Sequence, residues 1–195
     1  MPAVERSPRE RMVYAAAQLI RARGITGTGL RDVVSDADAP RGSLQHYFPG
    51  GKNQVVSEAL RWAGGYAGRR VTRYIETARS PSPGGLFAFM VRQWRDEFTA
   101  DGYARGCPLV AAAADTAAWS DPLREEVGAA FTDWLEPVAG ALVSMGVPTR
   151  RAQSLADLMI STLEGAIVLA RVRRDLAPLA TAERELRPIL DAAVR

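Results

Sequence analysis

Apolar residues recur at spacings of three and four along most of the chain, which is the spacing of one face of an α-helix. No run of Val, Ile and Thr alternates with polar residues for long enough to form a strand. The first apolar stripe, from Val13 to Ile20, follows the segment SPRE at residues 7–10 and ends before Gly24. That segment is a capping box with Pro at the first helical position, and Gly is a common helix terminator. The pattern therefore predicts an all-α protein.

Two short helices follow the first one. The pattern predicts a helix from about Leu30 to Ala37, a break at residues 38–40, and a third helix from about Arg41 to Tyr47. The segment Pro-Gly-Gly at 49–51 ends the third helix, and a long fourth helix begins near Lys52. Two short helices joined by a turn of about three residues, after a longer supporting helix, are typical of a helix-turn-helix. We assign residues 1–52 to this domain and residues 53–195 to a second helical domain.

The second domain has several predicted breaks. Glycines at 64, 65 and 68 are expected to interrupt or kink the fourth helix, and the segment SPSPGG at 80–85 is the clearest break in the chain. Further helices are predicted to begin at Gly106-Cys107-Pro108 and Asp121-Pro122, and the last two at about Arg150–Arg174 and Thr181–Val194.

Charge is uneven along the chain. Residues 1–52 carry eight cationic and five acidic residues, whereas residues 53–195 carry 17 of each sign. All of the net charge of +3 therefore lies at the N-terminal end, which suits a phosphate-facing surface, although an excess this small also arises by chance. No apolar run is long enough for a membrane-spanning helix, no apolar signal segment opens the chain, and there is one cysteine. We expect a cytoplasmic protein without membrane contact.

The sequence contains no recognisable nucleotide-binding or catalytic motif. The segment before Gly51-Lys52 has His46 where a phosphate-binding loop needs its first glycine, and Asn53 where it needs Ser or Thr. With one histidine and one cysteine, about 60 residues apart, the chain offers neither a zinc site nor a conventional hydrolase triad. We predict no catalytic residues, no metal and no cofactor.

The helix-turn-helix segment resembles the TetR family of bacterial repressors over roughly residues 8–60. The resemblance rests on TGLRDVV at 28–34, on ADAPRGSLQHYFP at 37–49 and on Lys52. The ending Pro-Gly-Gly-Lys and the segment GCPL at 106–109 resemble the LmrA/YxaF-like branch of that family. The family implies an N-terminal DNA-binding domain and a C-terminal domain that binds a small ligand and forms a homodimer.

The resemblance also implies DNA-contacting positions. It places the third helix in the major groove, where Arg reads guanine and Gln reads adenine by paired hydrogen bonds. Gln45 departs from the family, in which an aromatic residue is common at this position. The implied DNA-binding residues are Arg41, Gly42, Ser43 and Gln45 in the groove, Tyr47 and Lys52 at phosphates, and, more weakly, Thr28 and Arg31. His46 is as well explained by packing as by a DNA contact.

Two further sets of residues belong to the predicted C-terminal domain. The resemblance implies that the last helices pair with a second copy, and the apolar stripe of the penultimate helix is the candidate dimer interface, although such stripes are usually ordinary core; its residues are Leu155, Met159, Leu163, Ala166, Ile167 and Ala170. The candidates for binding an apolar or aromatic effector are Trp94, Phe98, Cys107, Phe131, Trp134, Met159 and Glu164, although ordinary core packing explains the apolar members equally well. Glu164 is distinctive because a carboxylate in an apolar stretch needs a partner, either a ligand or an Arg.

The sequence therefore predicts a ligand-responsive regulator, most consistent with a repressor. Its predicted partners are a palindromic double-stranded DNA operator, a second copy of the chain and an unidentified small-molecule effector. The alternative is an all-α enzyme or adaptor that keeps the helix-turn-helix as a structural element.

Overall fold

The computed structural model describes residues 6–40, 42–116 and 120–194, and within them it contains helices and no strand. The all-α prediction is confirmed. The helices are α1 Pro8–Arg23, α2 Leu30–Asp36, α3 Ser43–Tyr47, α4 Gly51–Thr77, α5 Pro83–Asp101, α6 Pro108–Thr116, α7 Asp121–Ser144, α8 Thr149–Arg173 and α9 Ala177–Asp191.

Capping explains where α1 begins and ends. The hydroxyl of Ser7 accepts a hydrogen bond from the Glu10 N–H at 3.3 Å, and the Glu10 carboxylate accepts one from the Ser7 N–H at 2.8 Å. Hydrogen bonding to Ser7 lowers the pKa of Glu10. Gly24 ends the helix with φ at +73°, a conformation that favours glycine. The capping box and the glycine stop are as the sequence predicted.

The chain divides into two compact units. The first comprises Met1–Gly64 and Pro108–Ala130, and the second comprises Gly65–Cys107 and Phe131–Arg195. The core of the first unit includes fully buried Met12, Ile20, Val33 and Phe48. The division of function at residue 52 stays a prediction, because a compact unit is not by itself a functional domain.

The fourth helix runs from Gly51 to Thr77 without the predicted interruption. Its glycines serve close packing instead. A Cβ at Gly64 would collide with the backbone of Ala130, and a Cβ at Gly68 would lie 2.8 Å from the carbonyl oxygen of Asp133. Glycine inside a helix lowers its stability, but here it lets two helix backbones approach. The prediction of an interruption was wrong, because the glycines serve packing against another helix, whereas a kink at these glycines stays a prediction.

The second unit is built mainly on packing among α5, α8 and α9. Fully buried Phe87, Leu163 and Leu190 belong to its core. The carboxylate of Asp191 accepts a hydrogen bond from the Gly84 N–H at 2.8 Å, which satisfies a free N–H at the start of α5. The last helix occupies Ala177–Asp191, several residues earlier than the sequence predicted. No helix among the described residues is both long enough and apolar enough to span a bilayer.

Candidate functional site

The helix-turn-helix is fixed by a clamp from the supporting helix. Arg11 of α1 donates from Nε to the carbonyl oxygen of Ala37 at 2.9 Å and from Nη2 to that of Asp38 at 3.1 Å. Asp38 itself has φ at +47°, as expected for a residue that tolerates left-handed geometry. The planar guanidinium thus binds the carbonyl groups of Ala37 and Asp38, which lie in the turn between α2 and α3. The role of Arg11 was not predicted from the sequence, because a contact across 26 residues leaves no local signal.

The third helix presents its polar side chains outward. Gln45 and His46 are exposed, and His46 packs edge-on against half-buried Tyr47 with ring centroids 4.9 Å apart. Ser43 is half-buried, and its hydroxyl donates to the Pro40 carbonyl oxygen at 2.6 Å. Gly42 is exposed, and a Cβ at this position would have no neighbouring atom within 4 Å. The candidate Arg41 lies outside the described residues.

Lys52 lies in the first turn of α4, close to the positive end of the helix dipole. The turn before it is fixed by a chain of polar contacts. Gln54 accepts from the Gly50 N–H at 2.9 Å and donates to Glu58 at 3.0 Å, and Glu58 pairs with Arg9 at 2.7 Å. The entry into α4, and with it the position of Lys52, is therefore tied to α1. This network was not predicted from the sequence.

The two candidates at the start of α2 differ in exposure. Arg31 is exposed in the first turn. Thr28 is 2% exposed, and its hydroxyl donates to the Gly24 carbonyl oxygen at 2.6 Å. The side chain of Thr28 is thus used within the protein, where it braces the turn between α1 and α2.

The effector candidates all belong to the second unit. Phe98, Cys107, Trp134 and Met159 are buried, whereas Trp94 and Phe131 are half-buried. Trp94 lies against Phe98 with ring centroids 5.7 Å apart.

Glu164 is the chemically unusual member of that set. It is 7% exposed, and neither of its carboxyl oxygens makes a hydrogen bond of ordinary geometry with a described residue. Burial raises the pKa of Glu164 to about 7, and the nearby Cys107 thiol offsets a part of that rise. The carboxyl group is therefore partly protonated near neutral pH. No group of His, Cys, Asp and Glu within the described residues is arranged to hold a metal ion.

The structure corrects the choice of face on α8. The six residues expected at a dimer interface are all buried within the single chain, so a partner cannot contact them as they stand; they are Leu155, Met159, Leu163, Ala166, Ile167 and Ala170. The exposed apolar side chains of α8 are Leu158, Val168, Leu169 and Val172, of which Val172 is 78% exposed. The apolar stripe that the sequence showed is the face that α8 contributes to its own core.

Comparison with known proteins agrees with this architecture. Residues 13–59 match the family model described as bacterial regulatory proteins, tetR family, and residues 83–185 match the C-terminal domain of LmrA/YxaF-like transcriptional regulators. An uncharacterised HTH-type transcriptional regulator of Mycobacterium tuberculosis is 41% identical over 190 residues, which cover 94% of each chain. The HTH-type transcriptional regulator LmrA of Bacillus subtilis is 30% identical, over 88% of this chain and 90% of that protein.

Solved structures share the fold. A TetR transcriptional regulator from Chloroflexus aurantiacus superposes with a TM-score of 0.73 at 26% identity, over 93% of this chain and 92% of its own. The reduced form of NemR from Escherichia coli gives a TM-score of 0.75 at 23% identity, over 92% and 94%. These relatives are transcriptional regulators, which argues against the enzyme alternative. The chain belongs to the TetR family of transcriptional regulators and carries the LmrA/YxaF-like C-terminal domain.

Proposed function

We propose that this regulator is a repressor that binds a palindromic operator as a homodimer and is released by a small apolar or aromatic effector. The observation that carries the proposal is the outward-facing third helix. Arg11 fixes the turn that precedes this helix through its hydrogen bonds to the carbonyl oxygens of Ala37 and Asp38. Because its target is chromosomal DNA, the proposal places the protein in the cytoplasm.

The proposed DNA contacts follow from exposure and chemistry. Gln45 is exposed and offers a paired amide for an adenine edge, and Arg41 is the candidate for guanine. Lys52 and Tyr47 are the proposed phosphate contacts, and exposed Arg31 on α2 is a weaker candidate. Gly42 and Ser43 shape the start of α3. Thr28 acts by holding the turn rather than by touching DNA, since its hydroxyl is engaged.

The proposed dimer uses the exposed face of α8. Leu158, Val168 and Val172 are separated by 10 and 4 residues, which puts them on one side of a helix. Ile189 of α9 is 49% exposed and is a further apolar side chain that a second copy could cover. A dimer of this kind gives the two recognition helices that a palindromic operator needs.

Binding to DNA from upstream of the protein's own gene tests the central proposal. Titration at several salt concentrations gives the affinity and its salt slope, which falls by about 0.9 for each lost phosphate contact. Lys52→Ala and Tyr47→Phe are expected to weaken binding roughly tenfold and about threefold, and Lys52→Ala is expected to reduce the slope. Arg151→Ala is the matched control, because it removes an exposed cation from α8.

Binding by Lys52→Ala and Tyr47→Phe as tight as that of the wild type would show that the phosphate contacts are misassigned. If the wild type binds unrelated DNA equally well, the chain is not an operator-specific repressor. The effector is sought separately by thermal shift with diverse aromatic and amphiphilic compounds, and the absence of stabilisation across them would count against an inducible site.

A further inference from the structure

Glu164 lies among apolar side chains. Its neighbours on the same face of α8 are Ile160 and Ile167, four residues before and three residues after it, each at most 5% exposed. Burial of a carboxyl group among such residues is costly unless a hydrogen-bonding or charged partner compensates. Within the described part of the chain neither carboxyl oxygen has a hydrogen bond of ordinary geometry, and the Cys107 thiol nearby is only a weak donor.

Glu164 also has no charged partner among the described residues. Burial and the Cys107 thiol are what shift its pKa, and no Arg, Lys, Asp or Glu among the described residues contributes. An Arg partner, which the sequence left open as the ordinary explanation, is therefore not found in that part of the chain. The structure thus holds a buried carboxyl group that has no charged partner among the described residues and only the weakly donating Cys107 thiol beside it.

The other buried polar atoms that lack a partner belong to the same compact unit. Among the described residues they are Nε of Arg70 and Nε2 of Gln93, on α4 and α5. Native proteins rarely leave such groups unsatisfied, and each case calls for an explanation. In the described part of the first compact unit, no buried side-chain nitrogen or oxygen atom lacks a partner. The unsatisfied groups are thus confined to the unit proposed to hold an effector.

We infer that Glu164 anchors the effector and that the effector is a basic amine carried on an apolar, aromatic body. The inference rests on the proposed effector-binding function and names its ligand class. An ammonium group donates hydrogen bonds to both carboxyl oxygens and brings the positive charge that the site lacks. A charge-assisted pair of this kind is about twice as strong as a neutral hydrogen bond.

The proton balance follows from the state of the carboxyl group. When the ammonium form of the ligand binds to protonated Glu164, the carboxyl proton passes to solvent and a carboxylate–ammonium pair remains. When the ligand enters as the free amine, the carboxyl proton moves to the amine nitrogen. A neutral alcohol of the same shape satisfies one oxygen but leaves the site without a compensating charge. The preference for amine over alcohol is therefore the signature of this site.

Matched ligand pairs test the inference. Benzylamine and 2-naphthylmethylamine are titrated into the full-length protein beside benzyl alcohol and 2-naphthalenemethanol, and binding is followed by isothermal calorimetry. Wild-type protein is expected to prefer each amine at least tenfold, and Glu164→Gln is expected to abolish that preference. Glu76→Gln, which changes an exposed carboxylate of the same unit, is the control and is expected to retain it.

A second measurement does not depend on the variant. Calorimetry in buffers of different ionisation enthalpy reports the number of protons exchanged on binding. At pH 6.5, wild-type protein is expected to release protons when the ammonium form of an amine binds. Binding of an alcohol is expected to release none. Equal affinities for amines and alcohols, or no binding of either amine at millimolar concentration, would overturn the inference. Retained amine preference in Glu164→Gln would overturn it too.

The same preparations are tested for operator binding. Intact DNA binding without amine preference rejects the ligand class and leaves the proposed repressor standing. Absence of specific DNA binding rejects the repressor, whatever the ligands do.

Discussion

The Asp115 carboxylate accepts a hydrogen bond from the backbone N–H of Thr26 at 3.0 Å. Asp115 lies near the end of α6, and Thr26 lies in the turn that joins α1 to α2. The α-carbon of Gly24 approaches the same carboxylate so closely that any side chain at position 24 would collide with it. One acidic side chain therefore docks α6 onto the entrance of the helix-turn-helix, within one compact unit.

The first prediction concerns this contact. Asp115→Ala is expected to lower the free energy of unfolding by about 1 kcal/mol, because a charge-assisted hydrogen bond at a partly exposed position is lost. Hydrogen–deuterium exchange at the Thr26 amide is expected to accelerate. Asp157→Ala, at an exposed acid of α8, is the control for loss of charge. Unchanged exchange at Thr26 would show that the contact does not protect this turn.

Arg11 is predicted to act through position rather than by touching DNA. Arg11→Lys keeps the charge but loses the planar fork that holds the carbonyl groups of Ala37 and Asp38. Operator affinity is expected to fall roughly tenfold, about 1.4 kcal/mol, with the salt slope unchanged. Fluorescence anisotropy with an operator fragment measures both quantities. A reduced slope would mean that Arg11 contacts phosphate itself.

Two glycines provide a matched pair for the packing between helices. Gly64→Ala places a methyl group against the Ala130 backbone and is expected to destabilise the protein by about 2 kcal/mol. Gly128→Ala adds the same methyl group inside α7, where nothing but the nearby backbone of its own helix lies within 4 Å, so it is expected to stabilise by about 0.5–1 kcal/mol. Chemical denaturation measures both changes. Similar effects of the two substitutions would mean that helix propensity, not packing, sets the outcome.

Val172 tests the proposed dimer. It is 78% exposed on α8, and Val172→Glu is expected to weaken self-association by at least thirtyfold, about 2 kcal/mol, since a charge would enter the apolar interface. Sedimentation velocity over a concentration series measures the change. Val143→Glu makes the same substitution at an exposed apolar residue of α7 and is expected to leave the dimer intact. A wild type that sediments as a monomer would refute the dimer outright.

Local features of the fold were predictable from the sequence, whereas long-range contacts were not. The capping box at Ser7, the stop at Gly24 and the tight turn at Asp38 are short-range devices, since each depends on residues within a few positions. Arg11 and Asp115 act across 26 and 89 residues, and no spacing rule connects them to their partners.

Periodicity has a similar limit in α8. An apolar stripe shows that a helix has a buried face but not which surface covers it. The stripe from Leu155 to Ala170 is covered by the chain itself. Glu164 was identified because a carboxyl group interrupts this stripe, and that signal is chemical rather than periodic.

The last prediction uses the pH dependence of Glu164. Burial raises its pKa from the ordinary 4.5 to about 7, so the folded chain binds this proton more tightly than the unfolded chain does. Ionisation of Glu164 therefore opposes folding: stability is lost as pH rises from about 4.5 to 7, and the loss levels off above pH 7. The upper bound of this loss of stability is about 3 kcal/mol, from 1.36 kcal/mol for each pKa unit.

Glu164→Gln removes the cost of ionising the buried carboxyl group, so the stability of the variant relative to wild type is expected to increase across this interval. Denaturation at pH 5, 6, 7 and 8 measures the difference, with Glu76→Gln expected to show none. A difference between wild type and Glu164→Gln that stays constant from pH 5 to 8 would mean that Glu164 titrates at its ordinary pKa in the folded chain, as a solvated or paired carboxylate would.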